Sequence, residues 1–190
     1  SVIALPGMRP LPMTTEQKVA ALGKIEARRK GRLGVAVLDT HTGELICYRE
    51  NERFAMCSTF KFLLTAAILA KVDRGEETLE RRIVFSAADI VVWSPATKER
   101  VGEPGMTVAE LCEAAMTVSD NTAANLLLAS IGGPSGLTGY ARQIGDEVTR
   151  LDRIEPDLNE AKRGDPRDTK PPLAMLQNLR KILFGDALSL

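Results

Sequence analysis

The segment from Phe60 to Val72 constrains this chain more than any other. Between Phe60 and Ala70 only Lys61 and Thr65 are polar, so a helix there is apolar on every side and belongs at the centre of a packed lobe. It is too short for the ~20 residues that span a bilayer. The lysine within it therefore stands where a charge needs a reason. Ser58 precedes it by three residues and falls in the first helical turn, where unpaired N–H groups and the positive end of the dipole collect. An amine that is partly desolvated has its pKa pushed down and can accept the proton of a neighbouring hydroxyl. The plainer reading of Ser-x-x-Lys is an N-capping serine followed by a lysine that reaches out to solvent.

At 190 residues, 44% hydrophobic and 26% charged, the chain has the make-up of a soluble globular protein with one large domain or two small ones. Basic and acidic residues number 25 each, so no overall field draws it to nucleic acid or an anionic membrane, and the expected partner is a small molecule. Residues 1–13 lack the basic start and long apolar centre of a secretory signal and read as a leftover or a flexible arm. Three cysteines cannot all pair, and none is spaced as a metal site. Cys47, in a strand, and Cys112, in a helix, read as small core residues, whereas Cys57 beside Ser58 is ambiguous.

Thr14 and Gln17 form a capping box for a helix with the stripe Val19, Leu22, Ile25, stopped at Gly31. Leu33–Leu38, a tight turn and Glu44–Arg49 read as a hairpin. Ile83–Phe85 is a weak third strand. A loop then carries Trp93, the only tryptophan, which either packs over a helix end or walls a binding cleft. Thr107 and Glu110 open a helix to about Val118, and Ser119-Asp120-Asn121 separates it from the apolar run Ala123–Leu128, which ends at Gly132-Gly133. Pro134 starts a helix that closes at Gly145.

Arg150–Lys170 holds six basic residues (Arg150, Arg153, Lys162, Arg163, Arg167, Lys170) and six acidic ones (Asp152, Glu155, Asp157, Glu160, Asp165, Asp168). That balance suits an Ω-loop held by internal ion pairs, with Arg153 and Asp168 placed to clasp its neck. Glu155 and Asn159, four residues apart, can hold one water if the segment makes a helical turn; the alternative is a solvated charged loop. Pro171 or Pro172 opens a last helix with Leu173, Leu176, Leu179 and Leu183 on one face, up to Gly185. Two strands make a marginal sheet with unpaired edges, so either helices cover it or its partner strands are missing, and missing strands are the favoured reading.

Taken together, Ser58-Thr59-Phe60-Lys61, Ser119-Asp120-Asn121 and Glu155-Pro156-Asp157-Leu158-Asn159 resemble the class A serine β-lactamases. Met106–Cys112, Thr122–Leu128 and Gly164–Thr169 are similar to the same family. The resemblance implies an α/β (α+β) fold of the β-lactamase/transpeptidase type. It has an all-helical lobe at 54–190, including the Ω-loop 150–170, and an α/β lobe begun by 14–53 whose C-terminal strands are missing here; residues 1–190 are then one incomplete domain. It implies that Ser58 attacks the β-lactam carbonyl, that Lys61 and Glu155 share proton removal, that Ser119 protonates the departing nitrogen, and that Glu155 activates a water also held by Asn159. Asn121 would bind the substrate and steady Lys61, and Trp93 would line the cleft mouth.

The family's Lys-Thr-Gly motif does not occur in the 190 residues; His41-Thr42-Gly43 lies in the hairpin turn. Thr65 stands where some relatives have the disulfide partner of Cys112, and Cys57 resembles a cysteine that bonds a later strand in others. The implied activity needs no cofactor and no metal and belongs in a bacterial periplasm or outside the cell. A penicillin-binding transpeptidase or carboxypeptidase is the alternative within this chemistry. A fragment that is inactive, or that needs a complementary C-terminal fragment of the same enzyme, is the alternative outside it.

Overall fold

The computed structural model describes residues 12–189, so most of the arm read at 1–13 lies outside the described residues. The chain divides into two compact units, the first ending at Glu50 and the second beginning at Asn51.

In the first unit α1 (Thr15–Arg29) starts at the expected capping box: Thr14 Oγ1 accepts from Gln17 N at 3.3 Å and Gln17 Oε1 from Thr14 N at 2.9 Å. The left-handed residue that ends it is Lys30 (φ 53°), one before the glycine that the sequence pointed to. Strands β1 (Val35–Leu38) and β2 (Leu45–Tyr48) form the hairpin, Val35 opposite Tyr48 and Leu38 opposite Leu45. Polar pairs tie the helix to the hairpin. Glu26 accepts from Tyr48 Oη at 2.7 Å and from Arg49 Nε at 2.9 Å, and the Arg49 guanidinium holds its carboxyl down at about 2. Lys18 and Glu44 make a second pair at 2.7 Å. No residue of α1 is buried, and Ile25 of its apolar stripe is 41% exposed.

The second unit is built around α2 (Phe60–Asp73), entered from β3 (Phe54–Ala55) through a 3₁₀ turn at Cys57–Thr59. Phe60, Leu63, Leu64 and Ile68 are fully covered, as an all-round apolar helix requires. At roughly 1.5–3 kcal/mol for each such side chain, they anchor the unit. Around α2 pack α3 (Val108–Thr117), α4 (Asn121–Ser130) and α5 (Gly133–Gln143). The Thr107–Glu110 box caps α3, with bonds of 3.1 and 2.7 Å. The third strand is found one residue early, as β4 (Arg82–Ile83), antiparallel to β5 (Met106–Thr107).

The last helix, α6 (Pro172–Phe184), corrects the sequence reading of its inner face. Ala174, Asn178 and Ile182 are the buried residues, while Leu183 is 58% exposed. The inward position at 178 belongs to a polar side chain because its amide donates to the buried Asp146 carboxylate at 2.6 Å. A stripe chosen by apolarity alone therefore lands one residue away.

Arg150–Lys170 is an ordered loop closed at its neck. Strand β6 (Thr169–Lys170) pairs antiparallel with β3, and Met56 N donates to Asp168 O at 2.9 Å, immediately before the turn that carries Ser58. Arg153 Nε meets Asp168 Oδ2 at 2.6 Å, and Asp168 Oδ1 also takes the N–H groups of Asp152 and Arg153 at 2.8 and 3.0 Å. Arg153–Glu160 and Arg167–Asp165 add two further pairs at 2.6 Å. Internal pairing of opposite charges is what the balanced composition of this stretch required.

Candidate active site

Lys61 is the hub of the site. It is 2% exposed, and its ammonium faces five oxygen atoms from three separate stretches of the chain. Nζ lies 2.6 Å from Asn121 Oδ1, 2.9 Å from the Ser119 carbonyl, 3.0 Å from Ser119 Oγ and 3.3 Å from Ser58 Oγ. The fifth is Glu155 Oε1 at 3.3 Å. Burial pushes the Lys61 pKa down; Glu155, and more weakly Asp120, oppose that shift without cancelling it. The ammonium is thus easier to deprotonate than one in water, and it sits within hydrogen-bond reach of the Ser58 and Ser119 hydroxyls.

Ser58 lies in the 3₁₀ turn before α2 and is exposed, following Cys57 in a left-handed conformation (φ 42°). Ser119, also left-handed (φ 56°), donates from Oγ to Ser58 Oγ at 2.9 Å. It stands in the short junction between α3, which ends at Thr117, and α4, which begins at Asn121. Asp120 is the N-cap of α4, accepting from Ala123 N at 2.9 Å, and its buried carboxylate also takes Ala96 N, Thr97 N and Thr97 Oγ1, each at 2.9 Å.

Glu155 is 1% exposed and reaches the site from the ordered loop 150–170. Its Oε2 accepts from Asn159 Nδ2 at 2.5 Å across the helical turn that begins at Asp157, while Oε1 accepts no hydrogen bond among the described residues. Asn125 of α4 fixes its backbone from both sides, Oδ1 accepting from Glu155 N at 2.9 Å and Nδ2 donating to Glu155 O at 3.0 Å. Sequence reasoning passed over Asn125. The signal was one amide inside the otherwise apolar run Ala123–Leu128, where a half-buried polar side chain calls for partners.

Trp93 is 66% exposed and left-handed (φ 61°), and its indole Nε1 donates at 3.0 Å to the carbonyl of Val118, the residue that ends α3. Of the two readings for this residue, the helix-end contact is present. Arg153 and Asp168 form the neck clasp and touch neither Ser58 nor Lys61. The three cysteines are unbonded, Cys112 buried and Cys47 and Cys57 half-buried, and burial raises the Cys112 thiol to about 11.

A serine hydroxyl within hydrogen-bond reach of a second serine and of a buried amine, with a buried carboxylate 3.3 Å from that amine, is gathered where the turn before α2, the junction between α3 and α4 and the ordered loop meet. Residues 14–190 match the model of the beta-lactamase enzyme family, and the chain belongs to that family, in class A. It is 64% identical to an ancestral class A beta-lactamase, the last common ancestor of Gram-negative bacteria, over 91% of this chain and 66% of that one, with a TM-score of 0.89. A further version of that ancestor matches at 61% identity over 90% of this chain and 65% of its own length, TM-score 0.88. The putative class A beta-lactamase PenP from Rhodopseudomonas palustris matches at 60% identity over 90% and 65%, TM-score 0.87. This chain spans about two thirds, 65–66%, of the length of these structures.

Proposed function

We propose that this chain carries the acylation and deacylation machinery for hydrolysis of β-lactam antibiotics, in the periplasm or outside a bacterial cell. The observation that supports it best is the convergence on Lys61 Nζ of Ser58 Oγ, Ser119 Oγ and Glu155 Oε1, at 3.3, 3.0 and 3.3 Å. Ser58 Oγ attacks the lactam carbonyl as its proton passes to the Lys61–Glu155 pair, either directly to the amine or through a water to the carboxylate. The ring C–N bond then breaks, and the nitrogen receives a proton from Ser119 Oγ, 2.9 Å from the nucleophile. In the second half, Glu155, oriented by Asn159, takes a proton from water as its oxygen attacks the ester, and Ser58 leaves with its proton restored.

The backbone N–H of Ser58 supplies an oxyanion donor at the start of α2. Asn121 holds the substrate's side-chain amide, and Trp93 lines the mouth of the cleft. A buried carboxylate beside the amine favours a hydrolase over a penicillin-binding transpeptidase, since a protein that stays acylated has no use for a base on the water. Among the described residues no helix is long and apolar enough to cross a membrane.

Glu155→Gln tests the assignment. The amide cannot take a proton, so a penicillin adduct on Ser58 should accumulate and persist, with deacylation slowed roughly 10²–10⁴-fold. Turnover equal to that of the parent would remove Glu155 from the mechanism.

A further inference from the structure

Four consecutive residues of the loop that carries Trp93 bind two consecutive residues of the junction that carries Ser119. Val91 N donates to Thr122 Oγ1 at 3.0 Å, the Val92 carbonyl accepts from Asn121 Nδ2 at 2.9 Å, and the Trp93 carbonyl accepts from Asn121 N at 2.9 Å. Ser94 Oγ and Thr122 Oγ1 are 2.7 Å apart. Ser94 Oγ also donates to Val91 O at 2.8 Å and accepts from Thr122 N at 3.3 Å, and Thr122 Oγ1 has Asp89 O at 3.2 Å. Each hydroxyl has one proton. With that of Ser94 given to Val91, the Thr122 proton serves Ser94 and Asp89.

Both hydroxyl groups are buried, Ser94 at 5% exposure and Thr122 at 0%. Neither is bonded to Ser58, Lys61 or Glu155. What they hold is a loop whose Trp93 is left-handed, an unfavourable conformation for a residue with a bulky side chain, which surrounding bonds must maintain. That loop supplies the acceptor for the Asn121 side chain, and the other end of the same amide lies 2.6 Å from Lys61 Nζ.

We propose that the Ser94–Thr122 hydroxyl pair is a latch that clamps the Trp93 loop onto the junction and thereby positions Asn121 and the Lys61 amine. Ser94 and Thr122 are positioning residues for acylation at Ser58, an assignment that rests on the function proposed above. Thr122→Val keeps the shape of the side chain and removes its hydroxyl, leaving Val91 N–H without its acceptor and Ser94 Oγ with only the longer bond from Thr122 N. Thr122→Ser retains the hydroxyl.

The experiment follows the fluorescence anisotropy of Trp93, the only tryptophan, together with the rate and pH profile of adduct formation by a slowly hydrolysed penicillin. Thr122→Val should lower the anisotropy and slow acylation roughly tenfold, a loss of about 1.4 kcal/mol in positioning. It should also move the pH limb of acylation downward, because Asn121 Oδ1 no longer supports the ammonium of Lys61. Thr122→Ser should restore all three. Anisotropy and rate within twofold of the parent in Thr122→Val, or equal losses in Thr122→Ser, would overturn the latch. Ser94→Ala carries the same comparison if Thr122→Val does not fold. Should the parent itself form no adduct, the functional reading fails, and anisotropy alone still decides the latch.

Discussion

Lys170 offers the sharpest test of the energetics. It pairs with Phe54 in the β3–β6 ladder at the neck of the ordered loop, is 8% exposed, and its ammonium has no hydrogen-bond partner among the described residues. Burial brings its pKa from 10.5 down to about 8, with Asp146 opposing the shift. That difference, at about 1.4 kcal/mol for each pH decade, corresponds to about 3 kcal/mol of strain when the group is charged. The sign follows from proton counts. Between pH 8 and 10.5 the unfolded chain binds more protons than the folded one, so stability rises with pH through this window. The penalty is complete below about pH 8 and absent above about 10.5.

Lys170→Met keeps the apolar stem and removes the charge. Urea unfolding should show the variant more stable by about 3 kcal/mol at pH 7, equivalent to a rise of roughly 6–12 °C in Tm for a chain of this size, with most of the gain gone by pH 10. Other groups that titrate in the window are common to both proteins and cancel in the comparison. A variant no more stable at pH 7, or one whose gain is the same at both pH values, would refute the reasoning.

Asp120→Ala should cost about 4 kcal/mol in the same unfolding assay, since it strips the N-cap of α4 and leaves Ala96 and Thr97 N–H groups unpaired beside a buried hydroxyl. Arg153→Ala opens the neck clasp at the carboxylate of Asp168. Stopped-flow kinetics should then show deacylation slowed more than acylation, because Glu155 travels with the loop and Ser58 does not. Gly105→Ala should destabilise by roughly 3 kcal/mol or prevent folding, as read by thermal melting: the residue is left-handed (φ 67°), and its added Cβ would stand 2.2 Å from the Ile83 carbonyl in the β4–β5 ladder.

Much of the site was legible because its chemistry is local in sequence. The three-residue spacing of Ser58 and Lys61 becomes a 3.3 Å contact, the four-residue spacing of Glu155 and Asn159 a 2.5 Å bond, and the Arg153–Asp168 clasp follows from two opposite charges at the ends of a balanced loop. The rest depends on tertiary partners that periodicity does not carry. Asn178 takes the inward face of α6 only because Asp146, 32 residues earlier, needs a donor. Asn125 matters through the backbone of Glu155, 30 residues later. Strands β3, β5 and β6 are two residues each, too short to show alternation. The residue that ends α1 is Lys30 and not the adjacent glycine, a displacement that sequence patterns leave open.

The central claim is that Ser58 becomes acylated and is then released by Glu155. Intact mass of the 190-residue chain, followed over time after addition of a slowly hydrolysed penicillin, tests it most directly. The account predicts an added mass of one penicillin on the Ser58 peptide that appears and then disappears, and that persists in Glu155→Gln. No adduct on a folded chain, or an adduct on the parent as long-lived as that on the variant, would contradict it.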